Sequence, residues 1–579
     1  MQLPAQLPAH LRQFVVAQDY GAYNAEDQAV WRFVVLQTYA RHLRTAHPAY
    51  AAGFAAVGIS VEEIPRIERM NQRLADTGFQ AVCVDGFIPP RAFQSFQARG
   101  FLPIAADIRT SRHLTYTPAP DIIHEAAGHA PFLAHADYAR YLRAIGLYGE
   151  KAFASPYDRE VYDAIHSLSE LKEDPQATAA QIQAAEARLS ALTQTAAAPS
   201  EIALLSRLYW WTVEYGLVGK LTDYRLYGAG LLSSIGEGHF CHAPEVTKLP
   251  LGAACIQTPY DITRPQPQLF VARDFEQLHE VLEEVCDGFA FRLGGRYALE
   301  QAQLSAEVAT LELDAGVQLA GVVSKLHPDG EELAAVSLQD DCAVALDDSI
   351  VAELPRLSKY VLPLGRLQDG TSLSAITRER LRALCGSSSK IQLQTRHGVE
   401  IEGTLVSQAE RAGRVVWLLL QDCTLRRGTE ILYRGHGPYP LLLAERVVTA
   451  HAAPPVGYHP ATELPQTKVP KPRLFAPEHA RLIQLYDEAL AVLREGFGAN
   501  VVSVFERVHT QLQANYPEDW LLRWNLLESL AKLGKSAATL GITADLTREL
   551  EQLELRYANR EPIATGLAYV RSLYRTEEP

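Results

Sequence analysis

Glu214 stands in the run Tyr209-Trp210-Trp211-Thr212-Val213-Glu214-Tyr215-Gly216, within a stretch from Ile202 to Val218 that is apolar almost all round. An ionised carboxylate in such surroundings is costly unless a cation compensates it. Far upstream, Pro120-Asp121-Ile122-Ile123-His124-Glu125-Ala126-Ala127-Gly128-His129 supplies two imidazoles. Two neutral imidazole nitrogens and one carboxylate oxygen on one face of an ion leave the opposite face open, as in the facial triad of non-haem Fe(II) oxygenases. Core histidines bonded to backbone and a zinc hydrolase are the competing readings. The zinc-protease pattern needs His at i and i+4 of one helix. Here the spacing is five, which at about 100° per residue sets the rings about 140° apart on a regular helix. Both reach one ion only where the helix ends or distorts near Gly128, and Gly128 followed by Pro131 favours such an irregularity.

These side chains need helices to carry them. From Tyr20 to about Tyr297 the apolar period is mostly helical. Val30-Trp31-Arg32-Phe33-Val34-Val35-Leu36 begins one buried helix and Ile202 to Val218 is expected to form another. Between them, Val161, Ile165, Leu168 and Leu171 make one stripe and Ile182, Ala185, Leu189 and Leu192 a second, joined by Glu173-Asp174-Pro175. That pattern predicts an inserted antiparallel helical hairpin within residues 155–198.

After about residue 300 the pattern changes to strands. Val308 to Leu313, Lys390 to Gln394, Val399 to Val406 and Val415 to Leu420 alternate or run apolar over strand lengths, with turn residues between them. Pro454, Pro455, Pro460, Pro465, Pro470 and Pro472 then disfavour helix and central strand alike. Helical period returns from Glu478 to about Leu573. The expected architecture is multidomain: a mainly α catalytic domain over residues 1–300, a β-rich domain over 301–452, a Pro-rich linker over 453–473 and an α-helical domain over 474–579.

The chain has 579 residues, too many for one core. Its net charge of -14, without a Lys/Arg cluster, excludes nucleic acid and anionic membrane as expected partners. No run of apolar residues is long enough to span a bilayer, and Met1-Gln2-Leu3-Pro4-Ala5 does not resemble a signal peptide, which places the chain in the cytoplasm. Seven scattered cysteines without a C-x-x-C pair read as reduced thiols.

Three blocks in order raise the iron reading far above its rivals. Tyr116-Thr117-Pro118-Ala119-Pro120-Asp121 leads into the His124–His129 motif, Tyr209 to Leu217 follows, and Tyr227-Gly228-Ala229-Gly230-Leu231-Leu232-Ser233-Ser234-Ile235-Gly236-Glu237 closes the series. Together they resemble the pterin-dependent aromatic amino acid hydroxylases over roughly Tyr20 to Tyr297. The resemblance implies that Fe(II) and a tetrahydropterin activate O2, one oxygen atom going to the aromatic ring and the other to the pterin. It puts iron on His124, His129 and Glu214, with Ser233 orienting the first imidazole. Arg109 matches the family's carboxylate clamp for the amino acid, and Asp121 is placed to cap the metal helix and hold Arg109. Thr117, Pro118 and Trp210 match positions lining the amino acid pocket. Gly86-Phe87-Ile88-Pro89-Pro90-Arg91-Ala92-Phe93 resembles the pterin loop, with Phe93 stacking on the ring and the backbone near Ile88 bonding its edge. Glu125 matches a residue that reaches the pterin through water, and Tyr209 one beside the metal.

Ile262, after the family's tyrosine position Tyr260, falls where phenylalanine-type members carry an apolar residue. A ring hydroxyl would find no partner there, so the resemblance implies L-phenylalanine as substrate and L-tyrosine as product, with tyrosine or tryptophan hydroxylation and a non-catalytic metal-binding scaffold as alternatives. The expected partners are the amino acid, O2 and the pterin. The family's preceding regulatory domain and short tetramerising tail are not expected here. His239 and His242 beside Cys241 read as a polar loop rather than a second metal site.

Overall fold

The helix Ala25–Thr45 stands at the centre of the fold. It starts where a capping box closes: Asn24 Oδ1 accepts the Asp27 N–H and Asp27 Oδ2 accepts the Asn24 N–H, each at 3.0 Å. Every residue from Val30 to Leu36 is buried. A stretch buried on every face, its paired Arg32 included, needs partners all round. It packs both on the segment that carries the two candidate histidines and on helices from the C-terminal quarter of the chain. The computed structural model describes residues 7–575 apart from 87, 112–113, 115–119, 174–176, 194–197, 263, 386–388, 459–474, 495–499, 535 and 558–559.

The helix expected over Ile202 to Val218 is shorter and is not uniform. It is regular over Glu201–Tyr209, widens into a π-helical turn over Trp210–Glu214, and gives way to the strand Leu217–Lys220. That strand pairs with Asp223–Leu226 antiparallel and Gln268–Ala272 parallel. Gly216 marks the change: a Cβ there would lie 2.2 Å from Thr212 O and 2.1 Å from the Tyr227 ring, so the returning chain approaches closer than any side chain permits. Leu217 and Val218 are apolar enough for either element, and their sheet partners, the hairpin strand Asp223–Leu226 and the parallel strand Gln268–Ala272, decide between them.

The hairpin is present as helices Pro156–Glu173 and Ala179–Thr193. Residues 174–176 of its predicted turn lie outside the described residues. Glu201, at the base, accepts the Phe153 N–H at 2.9 Å and the Ala290 N–H at 2.5 Å, which joins the hairpin's foot to the region that follows.

Beyond it, two antiparallel sheets share one core. In the first, Gln318–Asp329 lies between Val308–Leu313 and Glu332–Leu346, and Val447–His451 returns to pair with Val308–Leu313. In the second, Val399–Arg411 lies between Lys390–Gln394 and Arg414–Arg427. Leu311, Leu338, Leu418 and Leu420 are buried between them, with Tyr360 and Tyr439 stacked 5.0 Å apart. The break expected at residue 300 falls inside the helix Gly295–Ser305, whose Ala298, Leu299 and Ala302 belong to this β core. The Pro-rich stretch also begins inside the packed structure: Val456 O accepts from Ile350 N and Tyr458 is buried against Ala320 and Ala343. The rest of that stretch, from 459 to 473, lies outside the described residues.

The C-terminal helices depart most from expectation. Pro477–Arg494, Val501–Asn515, Leu521–Leu533, Ala537–Arg556 and Glu561–Arg575 do not close a separate core but extend the one around Ala25–Thr45. From Leu521 to Ala531 every residue is buried. Phe33 meets Trp520 and Trp524 edge-on, at 5.1 and 4.6 Å between ring centroids. Glu528, wholly buried, takes Arg32 Nη2 at 2.8 Å and Lys532 Nζ at 2.7 Å.

Among the described residues no helix is long and apolar enough to cross a membrane. All seven cysteines are free thiols, and all but Cys385 are buried.

Candidate metal centre

His124 and His129 sit on one π-helical segment, Ile123–His129, whose end is closed by the Ala130 N–H bonding Glu125 O. In a turn closed by i→i+5 bonds, a spacing of five returns to the same face. The distortion expected near Gly128 is therefore this wide turn, and it gives way to a 3-10 turn over Ala130–Ala134. Gly128 itself permits a close approach. A Cβ there would lie 2.8 Å from Ala229 O, so its absence lets the helix Ala229–Ser233 close against the histidines. Glu214 ends a second π-helical turn, closed by Tyr215 N to Trp210 O at 2.9 Å. Gly228 serves that turn likewise, since a Cβ would stand 2.4 Å from Glu214 O.

Three donors converge. His124 Nε2 lies 3.2 Å from Glu214 Oε2, His129 Nε2 3.2 Å from Glu214 Oε1, and the two Nε2 atoms 3.2 Å from each other. Donors about 2.1 Å from one ion are separated by about 3.0 Å at right angles and about 3.4 Å in a tetrahedron, so these spacings fit one cation. Among the described residues this is the one such group of three. Ser233 Oγ donates to Ala229 O at 2.8 Å and faces His124 Nδ1 at 3.0 Å. With its proton committed to the carbonyl, the hydroxyl accepts from Nδ1–H, which leaves the Nε2 lone pair for the ion. Burial by itself would raise the Glu214 carboxyl, but the two imidazoles facing it hold it well below the usual carboxylate range.

Behind the metal face, Arg109 and Asp121 form a buried two-pronged pair: Nε to Oδ2 and Nη2 to Oδ1, both at 2.8 Å. Asp121 also accepts the N–H groups of Arg109 and His124. Burial would raise its carboxyl too, and Arg109 more than offsets this and lowers it. One aspartate thus locks a guanidinium to the start of the metal-bearing segment, with Nη1 left a long 3.5 Å contact to Ser233 O.

A sequence model of biopterin-dependent aromatic amino acid hydroxylases matches residues 19–159 and 177–336, just over half of the chain. The chain belongs to this family. A phenylalanine-4-hydroxylase of Chromobacterium violaceum is 29% identical over 271 residues, covering 46% of this chain and 76% of that protein. One from Ralstonia nicotianae is 29% identical over 270 residues, covering 46% and 72%. A tyrosine 3-monooxygenase of Rattus norvegicus is 26% identical over 324 residues, covering 54% and 55%. The gap in the family match, 160–176, runs through the first hairpin helix and the residues after it that lie outside the described ones, and the match ends inside the strand Glu332–Leu346.

The hydroxylase's other predicted residues are placed as follows. Trp210 stacks between Tyr215 and Tyr260, at 4.7 and 4.3 Å. Phe93 is half-buried on the helix Pro90–Ala98, edge-on to Tyr209 at 6.2 Å, and Ile88 is buried just before that helix. Tyr209 takes its hydrogen bond from Gln97 Nε2 at 2.7 Å rather than from the three ligands. Glu125 is buried beside His129, with Oε2 lacking a hydrogen-bond partner; burial pushes its carboxyl up to about 8 despite that imidazole. Ile262 is half-buried. Thr117 and Pro118 lie outside the described residues.

Sequence reasoning passed over Tyr138 and Gln97. The Tyr138 hydroxyl is buried, and its acidity is weakened first by that burial and then by the nearby Glu214 charge. No sequence signal separates such a tyrosine from an ordinary core residue.

Proposed function

We propose that this hydroxylase converts L-phenylalanine to L-tyrosine, with iron held by His124, His129 and Glu214. The observation that carries the iron assignment is the convergence of three donors at 3.2 Å, on an oxygen-and-imidazole set that suits a divalent first-row ion. Bound iron, with a reduced pterin, supplies the activation of O2. Ser233 keeps His124 in the tautomer that binds metal. Asp121 holds Arg109 so that the remaining guanidinium edge meets the substrate carboxylate. Trp210, steadied between two tyrosines, forms a wall for the aromatic ring, and Thr117 and Pro118 are assigned to the same pocket. Phe93 and the backbone near Ile88 are assigned to the pterin, and Glu125 offers it a carboxyl through water. These groups act by placement and by excluding water from the reacting centre. The apolar Ile262 and the naming of the bacterial relatives support phenylalanine over tyrosine.

Purified protein supplied with Fe(II), a reduced pterin and air is expected to form tyrosine from L-phenylalanine. Glu214→Ala should retain no iron and form no tyrosine. Full iron content in that variant would remove Glu214 from the ligand set, and faster turnover of tyrosine or tryptophan would overturn the substrate choice.

A further inference from the structure

We propose that the two regions following the hydroxylase half position opposite sides of its active site, the C-terminal helices the amino acid side and the β region the pterin side. The assignment of sides rests on the function proposed above.

On the amino acid side the link is Glu26, in the first turn of the helix Ala25–Thr45. Its Oε1 accepts from Ser111 Oγ at 3.0 Å, and its Oε2 lies 2.6 Å from His479 Nε2. Ser111 is two residues beyond Arg109, so Glu26 holds the backbone that follows the carboxylate clamp. His479 belongs to the helix Pro477–Arg494, and its ring stacks on Phe475 at 5.2 Å, nearly parallel, which aims Nε2 at Glu26. The Glu26 side chain is only 13% exposed, so solvent screens the junction weakly.

On the pterin side the link is Glu307, immediately before the strand Val308–Leu313. Its carboxylate, 17% exposed, takes Arg91 Nη1 at 2.6 Å and Arg159 Nη1 at 2.9 Å. Arg91 lies between Ile88 and Phe93, and Arg159 lies on the first hairpin helix. One carboxylate of the β region therefore gathers the hairpin and the helix that presents Phe93. Neither link touches a ligand, so both are positioning devices.

The test is a crossed pair of variants in the full-length holoenzyme, His479→Ala and Glu307→Gln. His479→Ala is expected to raise KM for the amino acid about threefold, the scale of one partly exposed polar contact to a carboxylate, with KM for pterin and kcat unchanged. Glu307→Gln should do the reverse, and iron content should stay normal in both. Amide hydrogen exchange of the protein without cosubstrates supplies a readout independent of turnover: residues 108–111 should exchange faster only in His479→Ala, and residues 88–93 only in Glu307→Gln. Equal shifts of both KM values in each variant, or exchange rates that do not separate, would overturn the proposal. If no aromatic amino acid is turned over by the parent, the proposed function fails, while the exchange arm still decides the positioning roles.

Discussion

The β region and the C-terminal helices both follow the hydroxylase half, yet they join it in opposite ways. The β region closes its own core between two sheets and draws in only short preceding pieces, Phe153, Ala290 and the buried face of Gly295–Ser305. The C-terminal helices share a continuous core with Ala25–Thr45. The difference follows from geometry. A sheet with one apolar face is satisfied by another sheet. The helix Leu521–Leu533 is buried on every side from Leu521 to Ala531, its paired Arg523 and Glu528 included, and needs partners all round, as does the run from Val30 to Leu36. Each provides cover for the other. Whether a segment is a separate unit depends on whether its apolar surface is covered from within.

Trp524→Ala should test this contrast most severely. Trp524 is wholly buried against Phe33, and Gly566 packs so close that a Cβ there would lie 2.7 Å from the indole nitrogen. The expected cost is about 3–5 kcal/mol. Calorimetry should show one lowered transition in which the C-terminal helices melt and bound metal is released together; metal retained after those helices melt would separate the two. The counterpart is Leu418→Ala, in the core of the second sheet. It is expected to cost about 2–5 kcal/mol confined to the β region, leaving the metal-releasing transition where it was.

Glu528→Ala sharpens the comparison by charge. Among the described residues it leaves buried Arg32 only its contact to half-exposed Glu62, at an expected cost of up to about 3 kcal/mol in urea unfolding. Glu528→Gln, which keeps an acceptor, should cost less.

The smallest effect is one of pH. Burial around Asp519, whose Oδ2 accepts from Tyr486 at 2.9 Å, pushes its carboxyl up to about 6. An unfolded aspartate titrates near about 3.9. The fold therefore favours the protonated form, and this contribution is complete below about pH 4 and lost as pH rises through about 6. Asp519→Asn should flatten the decline in Tm across that window; an unchanged slope would show that Asp519 is not its source.

The metal ligands were legible because their chemistry contradicts their surroundings: a carboxylate in an apolar run and two histidines at a spacing no regular helix explains. The same spacing called for a helix that ends or distorts near Gly128, and the distortion is the π-helical turn the chain adopts there; which form it takes was not legible. Gly128 and Gly228 owe their roles to backbone that approaches from elsewhere in the sequence, and Gly216 to the Tyr227 ring and Thr212 O. The hairpin was readable from two local stripes. Its partners through Glu201 were not, since both are backbone N–H groups without a residue signature.

By itself the sequence determined the donor set, the succession of helical and strand-rich regions, and the family to which the first half belongs. These rest on residue type, local period and short motifs, all carried by neighbouring positions. Only the tertiary structure decided that Leu217 and Val218 turn into a strand, that the helix before residue 305 belongs to the β core, and that the last hundred residues complete the hydroxylase core. Apolar runs record that they must be buried, but not against what. That choice is made by partner surfaces as close in sequence as Leu226 to Leu217 and as distant as Trp524 to Phe33, through packing that carries no local period.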